Sequence, residues 1–136
     1  MARFAVERRS EALVTLIDNA NSGKLRVYSG TRPATANTAL SGNTLLAELT
    51  LGATSYTESG GVLTASAIAS DSSADASGTA SFVRIVESNG TTPVVDLGVT
   101  TSSPSSGNEC QLNTLSIVAG AVVSCTAMTI TWGVGA

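Results

Sequence analysis

The sequence predicts an all-β domain: an antiparallel β-sandwich or jelly-roll-like fold of about eight short strands with one short N-terminal helix. Three observations carry that expectation. Short apolar or alternating runs recur along the 136 residues, and clusters of Gly, Asn, Asp and Ser separate nearly all of them. The composition is 43% hydrophobic but only 12% charged, and Ser and Thr together exceed a quarter of the chain, a mixture that suits strands and turns better than solvated helices. No repeat of roughly 20 to 50 residues is present, so no solenoid or propeller is indicated.

In chain order, residues 1–9 read as a polar N-terminal arm and residues 10–136 as a single sandwich domain. Ser10 is a candidate N-cap with Glu11 in the first turn, where a carboxylate meets the positive end of the helix dipole. Leu13, Leu16 and Ile17 then recur at i, i+3 and i+4, which predicts a helix over residues 10–20, broken by Asn21-Ser22-Gly23. Leu25 and Val27 alternate with Lys24, Arg26 and Tyr28 as a strand that ends at Ser29-Gly30. Residues 31–43 have no firm period and contain Pro33 and Gly42, so an extended connection lying over the domain is expected. A connection of about a dozen residues is usually functional or docked, which makes Arg32 and Pro33 candidate contact residues.

Further strands are expected at 45–51, 62–69, 79–87, 93–100, 109–115, 121–125 and 128–132. The turns between them are Gly60-Gly61, Asp71-Ser72-Ser73, Asn89-Gly90, residues 102–108 and Ala119-Gly120. Asn89-Gly90 is the sharpest, because both residues tolerate positive φ, with Thr91 and Thr92 available to lengthen the loop. Phe82, Arg84 and Val86 alternate with Val83, Ile85 and Glu87, a pattern apolar on parts of both faces that suits a central strand. Only 4% of residues are aromatic, so Val, Leu, Ile and Ala must build most of the core, with Phe82, Trp132 and Tyr28 as its large anchors.

Charge is unevenly spread. Arg3, Arg8, Arg9, Lys24, Arg26 and Arg32 against Glu7, Glu11 and Asp18 give the first 32 residues +3, whereas from residue 33 onward Arg84 stands alone against seven carboxylates, giving −6. A basic arm on an acidic body suits association with a partner. Nucleic acid is not the expected one, because no aromatic residues are interleaved with the arginines as stacking platforms. The N-terminus does not read as a signal peptide and the longest apolar run, within 115–127, is interrupted and short of a membrane span, so a soluble protein made in the cytoplasm is expected.

The absence of histidine removes Ser-His-Asp and Cys-His catalysis, histidine-ligated zinc and the usual proton shuttle together. Cys110 and Cys125, with fourteen residues between them, match no redox or zinc motif; two free thiols in neighbouring strands are the leading reading and a disulfide the alternative. Asp71 and Asp75 hint at a calcium loop but lack the further oxygen ligands, so a solvated loop is expected and no metal. Glu48 with Glu58, or Asp96 with Glu109, could pair as glycosidase carboxylates only if they shared a cleft. The glycines do not open helices, so no phosphate-binding loop is supported. Neither catalytic residues nor a cofactor is expected.

One resemblance spans most of the chain. The helix followed by residues 23–34 (GKLRVYSGTRPA), then 45–52 (LLAELTLG), 82–86 (FVRIV) and 112–120 (LNTLSIVAG), resembles a family of small virion structural proteins of tailed bacteriophages. Cys110 and Cys125 lie outside the resembling segments. The resemblance implies a many-copy protein assembled in the bacterial host cytoplasm and located in the virion. It would contact the major capsid protein or other virion proteins and form homo-oligomers, with no membrane partner. The leading expectation is a capsid decoration or cement protein that binds and stabilises the head shell: Phe4 and Val6 with Arg3, Arg8 and Arg9 would tether the arm while the sandwich bridges capsomers. A neck or tail structural component is the alternative. A third reading, a displayed receptor- or glycan-binding module, requires an exposed aromatic cluster that this chain hardly supplies.

Overall fold

The computed structural model describes residues 5–103 and 108–131. Arg3, Phe4, Trp132 and the centre of the 102–108 turn lie outside the described residues. Among those described, the elements in chain order are one helix, α1 (Val6–Ala20), and eleven strands. The strands are β1 (Lys24–Tyr28), β2 (Leu45–Leu51), β3 (Tyr56–Ser59), β4 (Val62–Ala65), β5 (Ile68–Ala69), β6 (Gly78–Thr79), β7 (Phe82–Val86), β8 (Pro93–Thr100), β9 (Glu109–Leu112), β10 (Ser116–Ile117) and β11 (Cys125–Thr131). No described helix is long and apolar enough to cross a membrane. The protein is thus mostly β with one helix, as the composition predicts.

The helix is longer than expected at its N-terminal end. It starts at Val6 and not at Ser10, because Glu7, Arg8 and Arg9 are good helix formers and Glu7 supplies the first-turn carboxylate. Ala5 occupies the N-cap position without a side-chain cap, and its carbonyl accepts from the amides of Arg8 and Arg9. Ser10 is therefore interior to the helix, and its hydroxyl donates to Glu58 Oε2 at 3.1 Å. The predicted apolar face is the one that packs: Leu13 is fully buried, and Leu16 and Ile17 lie against the same core. At the C-terminal end Ser22 takes φ 59°, and Gly23 admits the chain into β1 where a Cβ would stand 2.3 Å from the Val86 carbonyl oxygen.

Nine strands form one sheet in the order β3-β4-β11-β9-β8-β7-β1-β2-β5, and β6 pairs β10 in a separate ribbon. Chain continuity forces the sheet to curl. Strands β4 and β5 are seven places apart in that order, about 34 Å on a flat sheet, yet Ala65 and Ile68 are joined by Ser66 and Ala67, a reach of about 11 Å. The hairpin 45–69 solves this by bending: β2 pairs β5 at one end of the sheet and β3 pairs β4 at the other, with Ser66 N–H donating to Ser55 O at the corner. This bend divides the strand expected at 62–69, and β3, whose Ser and Thr content reads as loop, was not expected. At the hairpin tip Gly60 and Gly61 both take positive φ, 61° and 87°, as a two-residue turn requires.

Several expected segments change shape for local reasons. The segment 79–87 is broken at Ala80 and Ser81, where the chain leaves the β6–β10 ribbon and enters β7. The stretches 121–125 and 128–132 are not two strands; β11 runs through from Cys125, and Val123 keeps only an isolated bridge to Asp71. Segment 109–115 ends as a sheet strand at Leu112. Of the Asn89-Gly90 pair only Gly90 has positive φ (78°), and the loop extends to Thr92 because the Asn89 carboxamide accepts from the amides of Thr91 and Thr92. The sheet is mixed and not wholly antiparallel: β9 runs parallel to β8, with Gly98 opposite Glu109. Pairing starts at Gly98, so the chain backs up by only a short distance, and alternation of side chains carries no signal for strand direction.

The core fills the concave side. Leu25 and Val27 from β1, Val83 and Ile85 from β7, Leu63, Leu112 and Met128 are at most 1% exposed, with Tyr56 and Leu13 among them. Burying a side chain of that kind contributes about 1.5–3 kcal/mol.

Candidate interaction surface

The central strands β2, β1, β7 and β8 are neighbours, and their registers place Glu48, Arg26, Arg84 and Asp96 in one transverse row. Because side chains alternate, that row shares its face with Tyr28, Phe82 and Val86, while Leu25, Val27, Val83 and Ile85 point into the core. Two arginines directly opposite each other would repel; here each is flanked by a carboxylate. Arg26 Nε donates to Glu48 Oε2 at 2.7 Å, and Arg84 grips Asp96 in a bidentate pair, Nε to Oδ1 at 2.7 Å and Nη2 to Oδ2 at 2.9 Å. The hydrogen bond to Asp96 raises the Arg84 pKa above its usual value, against the opposing effect of burial. For Arg26 burial works downward, and the hydrogen bond and charge of Glu48 outweigh it.

The Arg84 and Asp96 side chains are each 8% exposed, although they stand on the face of the sheet opposite the core residues Val83 and Ile85. What covers them is the 31–43 connection. Arg84 Nη1 donates to Thr38 O at 3.0 Å and Nη2 to Thr35 O at 3.5 Å, so one guanidinium ties the connection to the sheet. Asn43 anchors its far end by donating to Ser29 O and Thr31 O at 2.9 and 3.0 Å. Beneath it the Tyr28 and Phe82 rings stack with centroids 5.5 Å apart. An open cleft of about 840 Å³ borders the connection where Arg32 and Pro33 face Leu16, Val94 and Ile130, and one of about 410 Å³ lies between residues 36–40 and Tyr28 and Val86.

The residues expected to make contacts are thus split. Arg32 is exposed and Pro33 half-buried, and both line the larger cleft. Val6 opens α1. Arg8 is exposed and pairs with Glu11 one turn on, whereas Arg9 is half-buried and its guanidinium lies against the Gly60-Gly61 turn. Val118 and Val122, unremarked in the sequence, stand 59% and 54% exposed on either side of Gly120.

The carboxylates weighed for chemistry have other work. Glu58 Oε2 accepts from Ser10 and from the Gly61 amide, and Glu48 is held by Arg26. Asp96 and Glu109 do line one cleft, but both Asp96 oxygens are held by Arg84. Asp71 accepts the Glu48 amide on one oxygen and the Ser73 amide on the other, each at 2.9 Å. Among the described residues no three potential ligands cluster as a metal site. The two cysteines are free thiols on neighbouring strands, Cys110 buried on β9 and Cys125 half-buried on β11.

Arg84, which holds the 31–43 connection, is the residue of this surface that sequence reading missed. Its isolation, the single basic residue after position 32, was a usable signal, but its partner depends on cross-strand register. No protein-family model, curated protein or solved structure matches the chain.

Proposed function

We propose that the protein is a capsid decoration protein of a tailed bacteriophage, a non-enzymatic, many-copy component of the virion that docks on the head shell. In this reading the curled sheet is a jelly-roll-like wrap whose bent 45–69 hairpin links its two ends. The observation that carries the reading is the division of the chain into a basic leader and an acidic body, set beside the sequence resemblance. Arg3, Arg8 and Arg9 lie at or before the first turns of α1, and everything from residue 33 onward sums to −6. A leader of that sign can be held by an acidic shell surface while the body stays off neighbouring acidic copies.

Two further features support it. The exposed Val118 and Val122 supply an apolar contact beside the Gly120 turn, and the 31–43 connection offers a second contact surface that Arg84 ties to the sheet. Stable docking needs about 800 Å² from each partner, more than one such patch provides, so arm, turn and connection would act together.

The test is co-sedimentation of purified protein with empty shells of the phage that encodes it. Saturable binding that weakens in the charge-reversed variant Arg3→Glu with Arg8→Glu, which keeps Ala5 at the N-cap of α1, supports the reading. Undiminished affinity in that variant rejects the tethering arm, and no binding to shells at all rejects decoration in favour of a neck or tail position.

A further inference from the structure

Cys110 and Cys125 are placed in a way that an undistorted ladder would not produce. In the β9–β11 register Cys110 faces Met128 and Cys125 faces Leu112, so the cysteines are diagonal neighbours. Diagonal Cα atoms in a regular sheet stand about 7–8 Å apart, beyond the roughly 4.4–6.8 Å that a disulfide bridges. That diagonal placement is the product of the register shift between Cys125 and Ala127, without which Cys125 would fall opposite Asn113 with its side chain on the other face, and the two Sγ atoms lie 3.2 Å apart, within sulfur contact distance. Forming a bond would take about 1.1 Å more.

The two thiols are not equivalent. Cys110 is fully buried among Tyr56, Leu112 and Met128, while Cys125 is half-buried and opens onto a small pocket of about 200 Å³ walled by Ala65, Ser66, Ala67 and Ile68. Small side chains there leave room for a reagent to approach Cys125 and none to approach Cys110.

We propose that Cys110 and Cys125 are a convertible redox pair in which Cys125 attacks a low-molecular-weight disulfide and Cys110 resolves it, leaving an intrachain disulfide that ties β9 to β11. In the first step the Cys125 thiolate attacks one sulfur of the reagent, the reagent S–S bond breaks, and one small thiolate leaves. In the second Cys110 loses its proton as its Sγ attacks Cys125 Sγ, the second small thiolate departs, and the two small thiolates take up the two protons that the two cysteines release. Two protein thiols are oxidised by two electrons and one reagent disulfide is reduced to two thiols.

The electrostatics run the same way. The contact with Cys125, and burial next to it, push Cys110 above the ordinary thiol range, and the contact with Cys110 draws Cys125 below it. The chemistry does not depend on what the protein docks onto.

The experiment exposes the folded, fully reduced, full-length protein to oxidised glutathione, quenches with acid at intervals, unfolds it and labels free thiols with a maleimide. The expected end product is a monomer with no label and a mass two hydrogens below the reduced chain. The expected transient, located by peptide mapping, is a glutathione adduct on Cys125, and in Cys110→Ser that adduct accumulates. Retention of two labels, a disulfide-linked dimer, or a first adduct on Cys110 would each overturn the proposal. The wild-type arm decides the matter even where a serine variant fails to fold.

Discussion

Replacing Asp96 by Ala is the sharpest probe of how the connection is held. The substitution removes both carboxylate acceptors, at 2.7 and 2.9 Å, from an Arg84 whose side chain is 8% exposed, and it leaves the guanidinium with only the Thr38 and Thr35 carbonyls. Each charge-assisted bond contributes about 1.5–3 kcal/mol, and deleting one partner of a buried ion pair costs about 3–5 kcal/mol. With a urea m-value of about 2 kcal/mol/M, the unfolding midpoint should fall by roughly 1.5–2.5 M, read by far-UV circular dichroism. The double variant Arg84→Met with Asp96→Leu should recover most of that loss, since an apolar pair of similar size removes the stranded charge. It should nevertheless release the connection, so that limited proteolysis cuts within 31–43 faster than in the wild type. A midpoint for Asp96→Ala within about 0.5 M of wild type, or a double variant as unstable as the single, would refute the reasoning.

Three other outcomes test the packing and the docking surface. Burial, and next to it the charges of Cys110 and Cys125, raises the Tyr56 pKa well above its usual value of 10.0, so above about pH 10 the unfolded chain loses this proton while the folded one keeps it. Stability should fall there by about 1.4 kcal/mol per pH unit more steeply than in Tyr56→Phe, whose loss of the weak hydroxyl contact to Met128 Sδ costs under about 1 kcal/mol at neutral pH; parallel pH profiles would contradict it. Gly23→Ala, which sets a Cβ 2.3 Å from the Val86 carbonyl oxygen, should cost about 2–3 kcal/mol in urea unfolding. Val118→Asp with Val122→Asp should leave the urea midpoint unchanged, both positions being exposed, and reduce shell binding at least about tenfold, roughly 1.4 kcal/mol.

The local features of this chain were legible because they depend on neighbouring residues. Leu13, Leu16 and Ile17 declared the buried helix face, strands 45–51 and 93–100 fell where expected, and the pattern around Phe82 to Val86 marked a strand buried throughout its length. What depends on distant partners was not legible. The parallel β8–β9 pair, the bent hairpin feeding both ends of the sheet and the charge row from Glu48 to Asp96 are properties of register, which alternation leaves undetermined. The helix start was misplaced because Ser10 has the chemistry of a cap but spends its hydroxyl on Glu58. The reading of residues 31–43 as a docked connection needed only their length and lack of period; that Arg84 does the docking needed the fold.

Docking on the head shell is tested most directly by a density map of the intact particle at a resolution that separates strands. The curled sheet with its single helix should recur over the head surface in a count set by the capsomer lattice, with the leader ahead of Val6 against the shell. Density for this fold confined to a ring at the neck or tail, or its absence from the particle, would contradict the proposal.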